Sequence, residues 1–138
     1  MKRREFLVGT AAVTITPMTA HANETLDYTP GLVRERLAAG ETLFVDFKAD
    51  WCTTCRAQER VITELRSGNP AYDTAITFVN VDWDQYGRGD LVQELNIPRR
   101  STLVVMKGSA ELGRIVARTS RRDIQSLMDI ALAAGEQS

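Results

Sequence analysis

The chain has 138 residues, of which 43% are hydrophobic and 25% are charged, and its formal net charge is −1. This composition is typical of a single globular domain and excludes a largely disordered chain or a collagen-like repeat. The small net charge excludes a strong field that would draw the protein to nucleic acid, and no apolar run reaches the ~20 residues of a membrane-spanning helix.

The N-terminal segment, residues 1–22, predicts an export signal. Residues 2–4 are basic, residues 7–18 form a short and weakly apolar stretch, and residues 20–22 have the small-x-small form of a cleavage site. The Arg-Arg-Glu-Phe-Leu run at residues 3–7 resembles the twin-arginine export signal of bacteria. The alternative is an ordinary secretory signal that happens to carry two arginines.

Cleavage after Ala22 would leave residues 23–138 as one domain, which we expect in the bacterial periplasm without stable membrane insertion. The cleavage removes three basic residues and one acidic residue, so the net charge changes from −1 to −3. It also removes His21, which is the only histidine. The mature protein would therefore have no imidazole base and no histidine-ligated zinc, copper or haem site.

The mature sequence alternates helical and strand patterns. In chain order, the predicted elements are a helix begun by Thr29 and Pro30 and stopped at Gly40, strand Thr42–Phe47, a helix from about Cys52 to Arg66, strand Ile76–Val81, a short helix carrying Leu91, Val92 and Leu95, strand Thr102–Met106, a turn at 107–110, strand Leu112–Val116 and a last helix from a capping box at Ser120–Asp123 to Gly135.

This order, α-β-α-β-α-β-β-α, predicts an α/β fold. Strands separated by helices indicate parallel crossovers, whereas the tight turn near Gly108 indicates one antiparallel pair. We therefore expect a mixed central sheet flanked by helices on both faces.

The two cysteines, Cys52 and Cys55, follow a buried strand and open a helix. A thiolate at a helix N-terminus is favoured by free N–H groups and the macrodipole, so we expect a lowered pKa for Cys52. Such a thiolate can attack an external disulfide, and Cys55, one turn later, can resolve the mixed disulfide.

Two other interpretations of the cysteine pair are weaker. A purely structural disulfide across three residues closes a very small loop and adds little stability. A zinc site in one chain needs about four ligands, which two cysteines without histidine do not supply. A metal or cluster shared between two chains stays open.

The run Leu-Phe-Val-Asp-Phe-Lys-Ala-Asp-Trp-Cys-Thr-Thr-Cys at residues 43–55 resembles the active-site strand and loop of the thioredoxin superfamily. The resemblance covers about residues 27–134, and residues 49–52 are most similar to the C-terminal periplasmic domain of bacterial thiol:disulfide interchange reductases. It implies a thioredoxin fold and dithiol–disulfide exchange, with Cys52 as nucleophile, Cys55 as resolving thiol and no cofactor beyond their redox-active disulfide.

Asp46 falls on the buried acid of that family. Burial in an apolar strand should raise its pKa toward neutrality, so that it could accept the proton of Cys55, directly or through one water. The alternative is a strand-end aspartate that faces solvent. Gapless matching places Asn80 where many thioredoxins carry a lysine, so we expect Asp46 to lack that cationic neighbour.

The family's cis-proline, which faces the cysteines, has no direct counterpart. Gapless matching places Ser101 there, with a trans peptide bond because a non-proline cis bond costs about 3–4 kcal/mol. The alternative is that Pro98 is the cis-proline and that residues 99–101 are inserted. In either case Arg99 and Arg100 should lie near the dithiol, where they would stabilise a thiolate and favour acidic partners unless they are simply solvated.

The remaining residues near the motif are assigned to substrate docking or to packing. We expect Trp51 to shield the dithiol, whereas Trp83 has no role beyond packing and Asp82 and Asp84 are loop carboxylates. The predicted substrate-binding residues are Trp51, Thr53, Thr54, Arg100 and Ser101.

The predicted function is that of an exported, monomeric oxidoreductase that reduces disulfides in periplasmic proteins with electrons from a membrane partner protein. Thr53 and Thr54 carry no positive charge, which favours a reducing potential, although an oxidase or isomerase stays open. The alternative from a different class is a metal or [2Fe–2S] module, because Ser101 would leave room beside the cysteines that a proline would fill.

Overall fold

The computed structural model describes residues 9, 11–14 and 24–137. Most of the predicted export signal at residues 1–22 lies outside these residues, and it stays a prediction. Within the described ranges, none of the helices has the length and hydropathy that crossing a bilayer requires.

The described chain alternates strands and helices in much the predicted order. The elements are β1 (Leu26–Asp27), α1 (Leu32–Ala38), β2 (Thr42–Lys48), α2 (Thr53–Gly68), α3 (Ala71–Ala75), β3 (Thr77–Asp82), α4 (Trp83–Tyr86), α5 (Asp90–Glu94), β4 (Thr102–Lys107), β5 (Ala110–Val116) and α6 (Arg121–Gly135).

The strands form one five-stranded mixed sheet in the order β1-β3-β2-β4-β5. Strands β1, β3 and β2 are parallel, whereas β4 pairs antiparallel with β2, and β5 with β4. The predicted mixed sheet is therefore confirmed. Because β2 lies at the centre, its residues are buried by neighbours on both sides, which suits its mostly apolar sequence.

Helices cover both faces of the sheet, as predicted, and each face has its own hydrophobic cluster. Because side chains alternate along a strand, Phe44 of β2 belongs to one cluster, together with residues of α2, α3 and α6, whereas Val45 belongs to the other, with residues of α1 and α5. Asp46 therefore points to the same face as Phe44, toward α2, which is the helix that carries Cys55.

The predicted start of the first helix at Thr29 and Pro30 is wrong. The carbonyl of Thr29 accepts a hydrogen bond from the N–H of Leu32 (3.0 Å), and Gly31 has a φ of 93°. Proline followed by a glycine with positive φ is the signature of a type II turn. The Pro30–Gly31 pair therefore makes a turn, and α1 begins only at Leu32.

Both ends of α6 lie where the sequence predicts them. Ser120 caps the helix as expected, because its Oγ accepts a hydrogen bond from the N–H of Asp123 (3.1 Å). Gly135, the predicted end of the helix, is its last helical residue. A glycine is needed there because a Cβ would collide with the carbonyl of Ala75.

Candidate active site around the Cys52–Cys55 pair

The cysteine pair lies at the N-terminus of α2, as the sequence predicts. Cys52 is the N-cap residue, and its Sγ accepts a hydrogen bond from the N–H of Cys55 (3.1 Å). The two residues form a disulfide with their Cα atoms 5.2 Å apart. Cys52 is 2% exposed and Cys55 is fully buried, so the pair can be approached only at the Cys52 sulfur.

Ser101, rather than Pro98, contacts the dithiol. Its Oγ lies 3.2 Å from the Sγ of Cys52 and 3.1 Å from the Sγ of Cys55, and the residue is fully buried. No cis peptide bond occurs in the described part of the chain, so the bond before Ser101 is trans as expected.

The backbone of Ser101 is in the left-handed region, with a φ of 65°. This conformation costs a non-glycine residue about 1–2 kcal/mol. Three hydrogen bonds hold it: the N–H donates to the carbonyl of Phe47 (2.7 Å), and the carbonyl accepts from the N–H of Ala117 (2.8 Å) and from Nε2 of Gln58 (3.0 Å). The serine is thus fixed from β2, from α2 and from the segment after β5.

Gln58 is a site residue that the sequence analysis missed. It lies on the buried face of α2 and is fully buried, and its Nε2 donates to the carbonyls of Ser101 and Arg118, both at 3.0 Å. Its position one helical turn after Cys55, on a stripe that continues with Ile62 and Leu65, could have identified it. A polar residue in a buried apolar stripe is uncommon and requires partners.

Asp46 is buried in the middle of β2, with 5% exposure, so it is not the solvent-facing aspartate of the alternative interpretation. Its Oδ1 has no hydrogen-bond partner in the part of the chain that the structure describes. Burial raises the pKa of Asp46 to about 7; the nearby Lys48 lowers this pKa and Glu59 raises it. The carboxyl can therefore gain or lose a proton near neutral pH.

Asp46 lacks a lysine opposite it on β3, as expected, but it has a cation on its own strand. Asn80 pairs with Asp46 across the parallel strands, as the sequence predicts. Lys48, two residues further along β2, supplies a cation instead, and its Nζ lies 2.8 Å from Oε2 of Glu59 on α2. The two opposite charges act on Asp46 in opposite directions, and burial is the largest influence on its pKa.

Trp51 directly precedes Cys52 and lies at the rim of the site. Its indole is 55% exposed, and its Nε1 donates to both carboxylate oxygens of Asp84 (3.0 and 3.1 Å). The guanidinium of Arg100 stacks over its ring at 4.4 Å. Asp84 is therefore more than the loop carboxylate of the sequence analysis, since it orients the tryptophan.

Trp83 packs against the cysteines, in line with the packing role that the sequence analysis gave it. It contacts the small cluster formed by Ala49, Cys52 and Cys55. Trp83 begins α4, directly after β3, and this part of the chain was not predicted to be helical. Trp83 thus helps to cover the cysteines, and the shielding role of Trp51 stays a prediction.

The other predicted docking residues lie around this rim. Thr53 is exposed and Thr54 is half-buried, on the first turn of α2 between the cysteines. Arg99 and Arg100 are half-buried and come directly before Ser101, and Nε of Arg99 donates to the carbonyl of Arg100 (3.0 Å). The rim thus combines an exposed aromatic ring, hydroxyl groups and two cations.

A comparison with known proteins identifies the family. The family profile named Thioredoxin matches residues 28–130. The chain belongs to the thioredoxin family. With its Cys52–Cys55 pair at disulfide distance, it is a thioredoxin-like thiol-disulfide oxidoreductase.

Individual thioredoxins support the same assignment. The chain is 31% identical over 111 residues to thioredoxin H5 of rice, Oryza sativa subsp. japonica. The aligned region covers 71% of this chain and 78% of the relative. It is 30% identical over 81 residues to the mitochondrial thioredoxin-2 of Schizosaccharomyces pombe, covering 59% of this chain and 56% of the relative.

Solved structures agree on the fold. A protein titled Trxlp from Edwardsiella tarda superposes with a TM-score of 0.65 and 27% identity, covering 75% of this chain and 98% of the other. Reduced thioredoxin pre-protein from Schistosoma mansoni gives a TM-score of 0.62 at 22% identity, covering 78% and 97%, and supports the thioredoxin fold alone. The predicted fold and superfamily are confirmed, whereas the finer resemblance to periplasmic interchange reductases stays a prediction.

Proposed function

We propose that the protein is an exported thioredoxin that reduces disulfide bonds in periplasmic proteins through Cys52 and Cys55. It acts as a monomer, needs no cofactor besides its redox-active disulfide, and receives electrons from a membrane donor protein. The observation that carries the proposal is the position of Cys52 at the N-cap of α2, with Cys55 one turn later and buried below it.

The reaction begins with the thiolate of Cys52. It attacks one sulfur of a protein disulfide, so the substrate S–S bond breaks, a bond between Cys52 and the substrate forms, and the other substrate sulfur leaves as a thiolate. The leaving thiolate takes a proton from water. Free N–H groups and the macrodipole at the start of α2 stabilise the attacking anion.

The second step uses Cys55 and Asp46. Cys55 gives its proton to Asp46 and attacks the Cys52 sulfur, so the bond to the substrate breaks with its electron pair on the substrate sulfur. Two electrons have then passed to the substrate, and the Cys52–Cys55 disulfide has formed. A pKa of about 7 suits Asp46 to this role, because the carboxylate is substantially ionised at neutral pH and still basic enough to take a proton.

The reducing direction is supported by the residues between the cysteines. Thr53 and Thr54 offer hydroxyl groups and no positive charge, so the Cys52 thiolate is less stabilised than it would be beside a cation. A less stabilised thiolate makes the pair a better reductant. The stacked Trp51 and Arg100 support docking of a polypeptide with acidic groups near its disulfide.

Export is supported by the sequence of residues 1–22, with its basic start, weakly apolar stretch and Ala-His-Ala end. The pair Arg3-Arg4 supports the twin-arginine route. Expression of the whole chain in a bacterial host tests this. The protein should appear in the periplasmic fraction, and an Arg3→Lys/Arg4→Lys variant should remain in the cytoplasm, whereas an ordinary secretory signal would tolerate the change.

A metal- or cluster-binding function is the second candidate, favoured by the oxygen of Ser101 next to both sulfurs. Among the residues that the structure describes, no group of three or more histidine, cysteine, aspartate or glutamate side chains could hold a metal ion. Such a centre would therefore need cysteines from two copies of the chain. Colour and metal bound to anaerobically purified protein, together with a dimeric mass, would support this candidate over the first.

Insulin reduction driven by a small dithiol tests the proposed activity. The wild-type protein should accelerate precipitation of the freed insulin chain, and Cys52→Ser should abolish the acceleration. Cys55→Ser should instead accumulate a mixed disulfide with the substrate, because the resolving thiol is missing. A wild-type protein no faster than the small dithiol alone would contradict the proposal.

A further inference from the structure

The hydroxyl of Ser101 is placed to act on both sulfurs of the active site. Its Oγ lies 3.2 Å from Sγ of Cys52 and 3.1 Å from Sγ of Cys55, so neither sulfur is favoured by distance. A hydroxyl has one proton to donate and two lone pairs to accept with, and it rotates to suit its partners. A proline at this position would have neither capacity.

We infer that Ser101 is a catalytic residue whose hydroxyl stabilises first the Cys52 thiolate and then the Cys55 thiolate. The inference rests on the proposed function and extends it to a group that the family's proline does not provide. In the reduced protein, the O–H donates to the negatively charged sulfur of Cys52 while the oxygen accepts from the S–H of Cys55.

The hydroxyl changes partner when the substrate is bound. Once Cys52 is part of a mixed disulfide, its sulfur carries no negative charge and becomes a weak acceptor. The O–H then rotates to Cys55, whose proton leaves to Asp46, and stabilises that thiolate until it attacks the Cys52 sulfur. The serine keeps its own proton throughout, and the electrons pass as in the second step above.

The backbone of Ser101 supports a role beyond filling space. The residue keeps a left-handed φ of 65° that disfavours any side chain with a Cβ. Glycine would take this conformation without cost, and alanine would fill the same apolar space without a hydroxyl to satisfy. A buried serine in a strained conformation is most readily explained by a use for its hydroxyl, and the sulfurs are the groups it contacts.

The test compares Ser101→Ala and Ser101→Gly with the wild-type chain. Alanine removes the hydroxyl and keeps the Cβ, whereas glycine removes the hydroxyl and relaxes the backbone, so a loss shared by both variants belongs to the hydroxyl. Ser109→Ala, which changes an exposed serine in the turn between β4 and β5, is the matched control.

Two readouts are measured on each variant. The first is the pH midpoint of Cys52 ionisation in the reduced protein, followed by the ultraviolet absorbance of the thiolate. The second is the single-turnover rate at which a preformed mixed disulfide on Cys52 releases its thiol. A hydrogen bond to a charged group predicts that both Ser101 variants raise the midpoint by about one pH unit and slow the release about tenfold. Ser109→Ala should leave both unchanged.

An unchanged midpoint and release rate in both Ser101 variants would overturn the inference. Ser101→Gly decides the matter if Ser101→Ala does not fold, because glycine accepts the observed backbone. The titration needs no substrate, so it tests Ser101 even if the wild-type chain fails to reduce insulin. If only the insulin assay failed, the proposed function would be contradicted. The role of Ser101 would then be decided by the titration of Cys52.

Discussion

The Nζ of Lys48 lies 2.8 Å from Oε2 of Glu59, and both charges act on the buried carboxyl of Asp46. The lysine comes from β2 and the glutamate from α2, so the pair joins the strand of the acid to the helix of the cysteines. In the many thioredoxins that carry a lysine on the strand equivalent to β3, the cation would come from the position of Asn80. Here it comes from the same strand as the acid.

Because the charges of Lys48 and Glu59 act on Asp46 in opposite directions, removing one or the other should shift the pH midpoint of catalysis in opposite directions. Lys48→Met removes the cation that lowers the pKa of Asp46, so the pH midpoint for release from the mixed disulfide should move up. Glu59→Gln removes the anion that raises this pKa, so the midpoint should move down. Single-turnover release measured across pH 5–9 gives both midpoints. Shifts of the same sign in the two variants would contradict this account.

Asp46 also makes stability depend on pH. Its pKa in the folded chain, about 7, lies above the ordinary value of 3.8, so the folded chain holds a proton that the unfolded chain has released. The free energy of unfolding should therefore fall as the pH rises from about 4 to about 7, and this dependence should end above pH 7. The total loss is on the order of 4 kcal/mol.

Asp46→Asn tests the stability effect directly. The amide is close in shape and never ionises, so the oxidised variant should be more stable than the wild type at pH 8 and lose most of the fall between pH 4 and pH 7. Urea unfolding at pH 5 and pH 8 measures the difference. Asp27→Asn, at the exposed end of β1, is the control. An equal fall in the wild type and Asp46→Asn would show that Asp46 is not the group responsible.

The same variant should be slower as an enzyme. Without a carboxylate to accept the Cys55 proton, Asp46→Asn should slow release from the mixed disulfide near pH 7, while attack by Cys52 on the substrate proceeds. Stopped-flow measurement of both steps separates them. A more stable protein with a slower second step is the combined signature; an unchanged second step would remove Asp46 from the mechanism.

Gln58 links the active-site helix to the loop of Ser101. Gln58→Leu keeps the side-chain volume but removes the hydrogen bonds to the carbonyls of Ser101 and Arg118, and it should lower the free energy of unfolding by about 1–2 kcal/mol. Urea unfolding measures the loss. Gln137→Leu, at an exposed position after α6, controls for the change in composition. Equal stability of the two variants would mean that these hydrogen bonds contribute little.

The two arginines before Ser101 should affect substrate choice. Replacing Arg99 and Arg100 with alanine should raise KM several-fold for a disulfide peptide flanked by acidic residues, and should change KM little for a neutral peptide of the same length. The double alanine variant of Arg121 and Arg122, at the start of α6, is a matched control. An equal change in KM for both peptides would indicate general disruption and not charge recognition.

The sequence predicts those elements whose hydrophobic pattern extends over several residues. The apolar run of β2 and the periodic face of α6 each extend over several residues, and both elements were found. Strand β1 and helix α4 have two and four residues, too few for a period to show. The false start of the first helix arose because a proline followed by a glycine also favours a turn.

The site residues that the sequence predicted belong to local motifs, whereas those that it missed are brought together only by the fold. Cys52 and Cys55 belong to one short motif at the start of α2, so the sequence places them together. The burial of Asp46 follows from the apolar strand around it. Asp84 is 33 residues from the Trp51 that it holds, and Gln58 is 43 residues from Ser101. Such contacts depend on how β2, β3 and β4 pair in the sheet and how α2 packs against it, which no local pattern in the sequence encodes.

The reduction potential of the Cys52–Cys55 pair tests the central claim most directly. The protein is equilibrated in glutathione buffers of set poise, and the fraction reduced is followed by tryptophan fluorescence, since Trp83 packs against the cysteines and Trp51 lies beside them. For a reductase with no cation between its cysteines, we expect a reduction potential below about −220 mV. A value near −120 mV would mark an oxidant and contradict the proposed direction of electron flow.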